Sequence, residues 1–370
     1  MLVKINLENE IFAKINELIS KKRYPDLYRF IEIAINNQVQ EEFSEVEPIL
    51  ADKILESRIS ISESERQKDE VISHFSDIMG KEWWQKKLNE IQLEESEIQP
   101  HTRYLIWSFY NRFLPVKIVL HALAVSMAKQ GTAWIDLNQL KDQSYEFALE
   151  ISKSLKEHED KFEVPRNQRL STGLPTPLSE TTGLRGFQRR KKELKLLSSK
   201  IRFMEQFVGR KTSGDNPEFH GAGFSMGLIA VKFVNNICYV SLTENGKEFV
   251  LLNNPVIDNR QSDVAFFRDE VNFIVQNIIP RYTLEKIIMD KILEELKKGS
   301  LTSNEINRIF KEEKAKYLKN KKKRTIDIEI ALEDKIIVQE RVSTMGRLSE
   351  LGLVDWKVDK NGQSVYSLKN

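Results

Sequence analysis

The chain has 370 residues, with 57 Lys and Arg against 55 Asp and Glu, for a formal net charge of +2. A content of 40% apolar and 30% charged residues is that of a folded soluble protein, and the length suits two or three domains. No run approaches the roughly eighteen apolar residues of a membrane span, and a lone cysteine, Cys238, excludes an intrachain disulfide and a cysteine zinc site and fits a reducing cytoplasm.

The N-terminus has no signal-peptide apolar stretch and starts on a strand pattern. Val3, Ile5 and Leu7 alternate with Leu2, Lys4 and Asn6, the period of a short strand with two different faces. Ile11, Ile15, Leu18 and Ile19 then share one side of a helix. Pro25 and Asp26 break the pattern, and Leu27, Ile31, Ala34 and Ile35 mark a second amphipathic helix capped by Asp26. Such a unit cannot bury a core alone, whereas two copies can if their strands pair and their helices interlock.

The strand KINL, the helix FAKINELI and the tract YPDLYRFIEIAI resemble the ribbon-helix-helix DNA-binding family of prokaryotic repressors and antitoxins over residues 1–42. The resemblance implies an obligate homodimer through residues 1–42 whose alternate strand residues, here Leu2, Lys4 and Asn6, read bases in the major groove. Three positions depart from the family pattern. Leu2 stands where a polar or basic reader is common, and Tyr28 replaces a small hydroxyl. Asp26 puts a carboxylate where the family places a DNA phosphate. The competing reading keeps this module for dimerisation alone.

Residues 41–100 hold sixteen acids and seven bases, so 43–100 reads as an acidic helical linker unsuited to lie along DNA. Two runs have the opposite bias: 185–202 has eight bases and one acid, and 311–324 has eight bases and two acids. Within them Arg189, Arg190, Lys191 and Lys192, then Lys321, Lys322, Lys323 and Arg324, are candidate phosphate contacts. Solvated helix faces or loops are the alternative.

A weak internal repeat links SMGLIAVKFVNNICYVSLTENG (225–246) to SELGLVDWKVDKNGQSVYSLKN (349–370). Each reads as Gly-Leu-Ile/Val, a strand, an Asn-rich turn at Asn235-Asn236 or Asn361-Gly362, and a second strand. A hairpin of this kind after a helix resembles the wing of winged-helix DNA-binding domains.

Three helices are proposed before the second hairpin. The first is Leu284–Lys298, stopped by Gly299. The second is opened by a Thr302–Glu305 capping box and runs through Phe310. The third carries Val342, Met345, Leu348 and Leu351 inward and ends at Gly352. Arg341, Thr344 and Arg347 are then expected to point outward as DNA contacts, while TIDIEIAL reads as a strand or as the early part of this third helix.

Before the first hairpin, Val116–Ala128 reads as an apolar helix ending near Gly131. Asp136 and Gln139 suggest a short capped helix, and Ser144 opens another with Ala148, Ile151 and Leu155 inside. Its outer residues Glu146, Glu150, Glu157 and Glu159 suit a protein partner better than phosphate. Residues 160–220 read as a basic, loop-rich excursion, or as the source of a true pre-wing helix at KIRFMEQF.

Signals for chemistry are weak. GFSMG (223–227) fits G-x-S-x-G with Ser225 as nucleophile, but that motif needs a strand before the serine and a helix after it, and here a loop precedes and a strand follows. RDE (268–270) has the acids of a metal nuclease without a second element. His74, His101, His121, His158 and His220 lack metal-ligand spacing, and His121 in its apolar helix reads as a core or surface histidine. Tyr104, Trp107, Phe109, Tyr110 and Phe113, spread around a helix, suit a core or interface better than base stacking.

The expectation is a mainly α chain with small β elements: a ribbon-helix-helix module (1–42), the linker (43–100), a first winged-helix-like domain with a basic insertion (101–260) and a C-terminal winged-helix domain (261–370). The function expected is sequence-specific binding of double-stranded DNA by a dimeric cytoplasmic transcription regulator, with no catalysis, cofactor, metal or membrane contact. The alternative is an adaptor or antitoxin-like defence-system protein that uses these folds and its acidic helices for protein contacts.

Overall fold

The computed structural model describes residues 80–370 except 102, 178–186, 213–217, 359–361 and 370, and it leaves out the side chains of 187–193. The expected ribbon-helix-helix module, with Lys4 and Asn6, and most of the acidic stretch lie outside the described residues.

Helix α1 (Lys81–Glu90) closes the acidic stretch and sends Trp84 and Leu88 inward. Trp84 meets His121 edge-on, with ring centroids 5.1 Å apart. This end of the expected linker therefore belongs to the core. Helix α2 (Leu114–Gln130) is apolar around most of its circumference, and LPVKIVLHALAVSMAKQ accordingly runs through the core of the described residues. Pro115 fits its first turn, and Gly131 ends it at φ 63°.

Strand β1 (Ile135–Asp136) leads into α3 (Leu137–Lys161), where the Asp136 carboxylate caps by accepting from the Asn138 and Gln139 N–H groups. The two helices expected around Ser144 are one helix of 25 residues. Ser144 faces inward with Ala148, Ser152 and Leu155 and does not cap a new helix. Helix α4 (Phe187–Phe203) continues into a π turn over Met204–Val208, whose Phe207 and Val208 are buried. A minimal ribbon follows, β2 (Arg210–Lys211) on β3 (Phe219–His220), then the single turn α5 (Ala222–Ser225). Strands β4 (Ile229–Val234) and β5 (Ile237–Leu242) close on Asn235 and Asn236. Both turn residues have positive φ, 49° and 65°, as a tight two-residue hairpin requires. Strand β1 adds to the far side, giving the order β1-β5-β4.

Helices α6 (Glu244–Leu251), α7 (Pro255–Asn259) and α8 (Arg268–Phe273), with turns at Ile274–Ile278 and Ile279–Arg281, lead to a second set of elements. These are α9 (Thr283–Leu296), β6 (Leu301–Thr302), α10 (Ser303–Asn320), α11 (Thr325–Ala331), α12 (Asp334–Glu350), β7 (Val354–Val358) and β8 (Ser364–Leu368). The Thr302–Glu305 capping box is formed. TIDIEIAL is neither strand nor part of α12; its first seven residues make the separate helix α11. The strand order β6-β8-β7 repeats that of the first sheet.

Residues 80–370 are one compact unit, and a single hydrophobic core runs from Trp84 to Tyr366 without a break near residue 260. The aromatic segment 103–113 is not helical; it is an irregular strap. Tyr110 and Phe113 are buried in it, while Phe109 remains 40% exposed. The outer strand of each hairpin is met at its edge by side chains or backbone from elsewhere in the chain. The Glu97 N–H donates to the Val231 carbonyl at 3.1 Å, and the Val231 N–H donates to Ser96 Oγ at 2.9 Å. On the other sheet the Trp356 carbonyl accepts from Asn167 Nδ2 at 2.6 Å and Gln168 Nε2 at 3.1 Å.

Candidate nucleic-acid interface

The residues expected to contact nucleic acid do not gather on one face. Arg341, Thr344 and Arg347 correct the sequence reading most clearly. All three are buried, at 8%, 1% and 1% exposure, because helix α12 is packed against α9, α10, β8 and the 103–113 strap. Arg347 Nη2 donates to Glu285 Oε1 at 2.6 Å, and its Nη1 donates to the Tyr110 carbonyl at 2.7 Å. Thr344 Oγ1 donates to the same Glu285 oxygen at 2.8 Å. Arg341 Nη1 donates to Tyr366 Oη at 2.8 Å. Gly346 permits this closeness, since a Cβ there would meet Arg112 Nη1 at 2.2 Å. Val342, expected inside, is 38% exposed, whereas Met345 and Leu348 are buried.

Lys321, Lys322, Lys323 and Arg324 are exposed at the junction of α10 and α11. Arg324 is already engaged, donating from Nε and Nη2 to Asp327 at 2.9 Å each. Arg189, Arg190, Lys191 and Lys192 fall in the first turns of α4, where side chains are outside the description.

Helix α4 itself is the basic element best placed for a ligand. Its sequence FQRRKKELKLLSSKIRF carries seven bases and one acid. The C-terminal half is pinned from inside: Phe203 is 1% exposed and Ser199 4%, and Ser199 Oγ accepts the Thr176 N–H at 3.0 Å. Lys195, Ser198 and Arg202 lie outward, spaced three and four residues apart along one stripe, and all are exposed. Lys200 is turned aside, its Nζ 4.3 Å from the centre of the Tyr145 ring on α3. KIRFMEQF is helical, spanning the end of α4 and the π turn after it, and the missed candidates are Lys195 and Arg202. The signal was present in the basic run 185–202, but its helical register was hidden by the loop-like residues before it.

The β4–β5 hairpin supplies a second exposed edge. Asn235 and Asn236 at its tip are exposed, with Val234 at 42% and Ile237 at 43%. Lys211 Nζ donates to the Asn236 carbonyl at 3.0 Å, which ties the β2–β3 ribbon to the tip. Arg210 is paired with Glu205 at 3.3 Å.

Helix α3 is largely acidic outside, with Glu146, Glu150 and Glu157 exposed. Glu159, expected among them, is buried and accepts from Ser171 N–H at 2.8 Å and Ser171 Oγ at 2.6 Å.

Ser225 is the last residue of the α5 turn, with β3 before it and β4 after. Its Oγ lies 3.2 Å from Tyr282 Oη, which itself donates to the Ser225 carbonyl at 2.7 Å. Gly227 of the same motif has φ 72° and faces the Arg281 guanidinium, so its need for glycine is conformational and steric. Glu270 of the RDE tract is buried beside Lys117 at 2.9 Å and accepts from Asn254. Burial pushes its carboxyl pKa up and that of the Lys117 ammonium down, each partly opposed by the other's charge. This is a structural pair that ties α2 to α8. Among the described residues no cluster of three or more His, Cys, Asp or Glu side chains could hold a metal ion, and no helix is long and apolar enough to cross a membrane. Comparison with protein-family models, with curated protein sequences and with solved structures gives no match.

Proposed function

We propose that this chain is a sequence-specific, non-catalytic binder of double-stranded DNA, acting as a dimeric transcription regulator, in which α4 enters the major groove and the β4–β5 hairpin lies on the adjacent backbone. The observation that carries this reading is the exposed stripe of Lys195, Ser198 and Arg202 on a helix of seven bases that precedes a hairpin. Helices followed by a hairpin, with a short strand added to the hairpin's second strand, occur twice in the chain. That recurrence supports the winged-helix reading of both parts. Lysine and arginine on α4 would neutralise phosphates or donate to guanine, and Ser198 offers a small hydroxyl to either groove edge.

The test is duplex binding by the full-length chain across a salt series, with Lys195→Ala and Arg202→Ala beside it. Each variant should weaken binding and flatten the logarithmic salt dependence by about 0.9 for each phosphate that is no longer neutralised. No binding at low salt, or unchanged slopes in both variants, would sink the proposal.

The adaptor reading draws on a different observation. Helix α12 commits its polar side chains to an internal contact, and α3 exposes Glu146, Glu150 and Glu157. In that reading α3 meets a basic protein partner, and the salt series shows no duplex binding.

A further inference from the structure

Arg112 is only 5% exposed, yet among the described residues it makes no ion pair. Its Nη1 donates to the Asn111 carbonyl at 3.2 Å and its Nη2 to the Asn167 carbonyl at 3.1 Å. A guanidinium carries five N–H donors, so the others have no acceptor among the described residues. Glu350 attracts this charge without pairing to it, its carboxylate being committed to the Phe113 and Leu114 N–H groups. A buried charge of this kind is costly unless a counter-charge reaches it. Arg112 borders a cleft of about 250 Å³, the space of about eight waters at about 30 Å³ each. Trp356 borders the same cleft, and its Nε1–H is buried without an acceptor. The wall between the two is fixed: Asn167, whose carbonyl holds Arg112, donates from its own amide to the Trp356 carbonyl at 2.6 Å. Val264, Phe266 and Val354 add apolar lining.

We propose that this cleft binds a small molecule that carries one oxyanion, a carboxylate or a phosphate monoester, on a compact apolar body. The Arg112 guanidinium takes the oxyanion, since its planar fork matches two oxygens of either group. The Trp356 Nε1–H is the second donor, and the apolar lining receives the body of the ligand. A pocket of apolar walls with a few fixed polar groups is the usual form of a small-molecule site. Asp263 and Asp355 also border the cleft and oppose further negative charge, so the rest of the ligand is neutral or cationic. The remaining lining carboxylate, Glu159, is held by Ser171. The site shares no residue with the α4 stripe, and its test involves no DNA.

Saturation-transfer NMR and thermal unfolding of the full-length chain, at fixed pH and ionic strength, use benzoate and phenyl phosphate as probes. At least one probe should receive saturation and raise Tm with a saturable dose dependence, and the stronger of the two names the oxyanion. Arg112→Lys keeps the charge but loses the fork, and should weaken that binding several-fold. Trp356→Phe removes a buried donor that has no partner, so it should remain folded and also bind more weakly. If Arg112→Lys folds, as circular dichroism will show, unchanged binding in that variant overturns the proposal. If it does not fold, unchanged binding in Trp356→Phe does so. Failure of the wild-type chain to bind either probe overturns it as well.

Discussion

Glu350, the last residue of α12, caps the first turn of α2 from 237 positions away: its carboxylate accepts the Phe113 N–H at 2.6 Å and the Leu114 N–H at 3.1 Å. Helix α2 has no side-chain cap of its own, since its N-cap residue is Phe113. Negative charge at a helix N-terminus is favourable, but burial pushes the Glu350 carboxyl up to about 7, against the opposing pull of Arg112 and the two N–H groups. Glu350→Ala leaves two buried donors unpaired and should cost about 1–3 kcal/mol, the penalty for unsatisfied buried groups. Glu350→Gln keeps an acceptor and should cost less. Urea unfolding of both variants checks the order; equal losses would deny the capping role.

The Arg347–Glu285 pair changes what its mutation should do. Both side chains are 1% exposed, so Arg347→Met strands a buried carboxylate. Removing one partner of such a pair typically costs about 3–5 kcal/mol. The double variant Arg347→Met with Glu285→Gln should recover part of that loss in a double-mutant cycle of thermal or urea unfolding. Any effect of Arg347→Met on DNA binding should follow the loss of folded protein. A fully folded variant that binds DNA more weakly would restore Arg347 as a direct contact.

The helices were read from the sequence with fair success where the signal was local. Gly131, Asp136 and the Thr302–Glu305 box mark ends that form as expected, because capping involves residues within one turn of each other. The reading failed where a partner lay far along the chain. Arg341, Thr344 and Arg347 are polar and periodic, so nothing local distinguishes a solvated face from one that meets Glu285, Tyr110 and Tyr366. Ser144 looks like a cap because serine suits that role, yet it is a buried residue inside α3. On the candidate interface the basic run 185–202 was visible, but its outward stripe depended on Phe203 and Phe207 fixing which side of α4 faces the core.

His121 gives a pH dependence whose sign is defined. Burial beside Trp84 and Phe147 lowers its pKa from 6.5 to about 4, with Asp258 opposing that shift. The unfolded chain therefore takes up this proton first as pH falls. Stability that is complete above pH 6.5 should be lost progressively towards pH 4, by about 2–3 kcal/mol at 1.36 kcal/mol per unit. His121→Phe removes that component, so the gap between wild-type and variant unfolding free energies should shift in the variant's favour across this window. A pH-independent gap would place the ring in solvent contact.

Ser225→Ala tests whether the G-x-S-x-G match has chemical meaning. The hydroxyl contacts Tyr282 Oη at 3.2 Å, so its loss should cost no more than about 0.5–1.5 kcal/mol, the net value of one hydrogen bond. The wild-type protein should also resist fluorophosphonate reagents. Stoichiometric labelling at Ser225 would reopen the question of hydrolysis.

Strands β4 and β7, at the outer margin of each sheet, are shielded by short polar segments borrowed from elsewhere in the chain. Ser96 and Glu97 occupy the backbone groups of Val231, and Asn167 and Gln168 occupy the carbonyl of Trp356. An unpaired strand margin is a template for strand addition from another chain, leading to open-ended assembly. Here the template is blocked at Val231 on β4 and at the Trp356 carbonyl on β7, while Asn235 and Asn236 at the β4–β5 turn stay exposed. The β4–β5 hairpin can thus be presented to a ligand by its turn while the middle of its outer strand is closed to a neighbouring polypeptide.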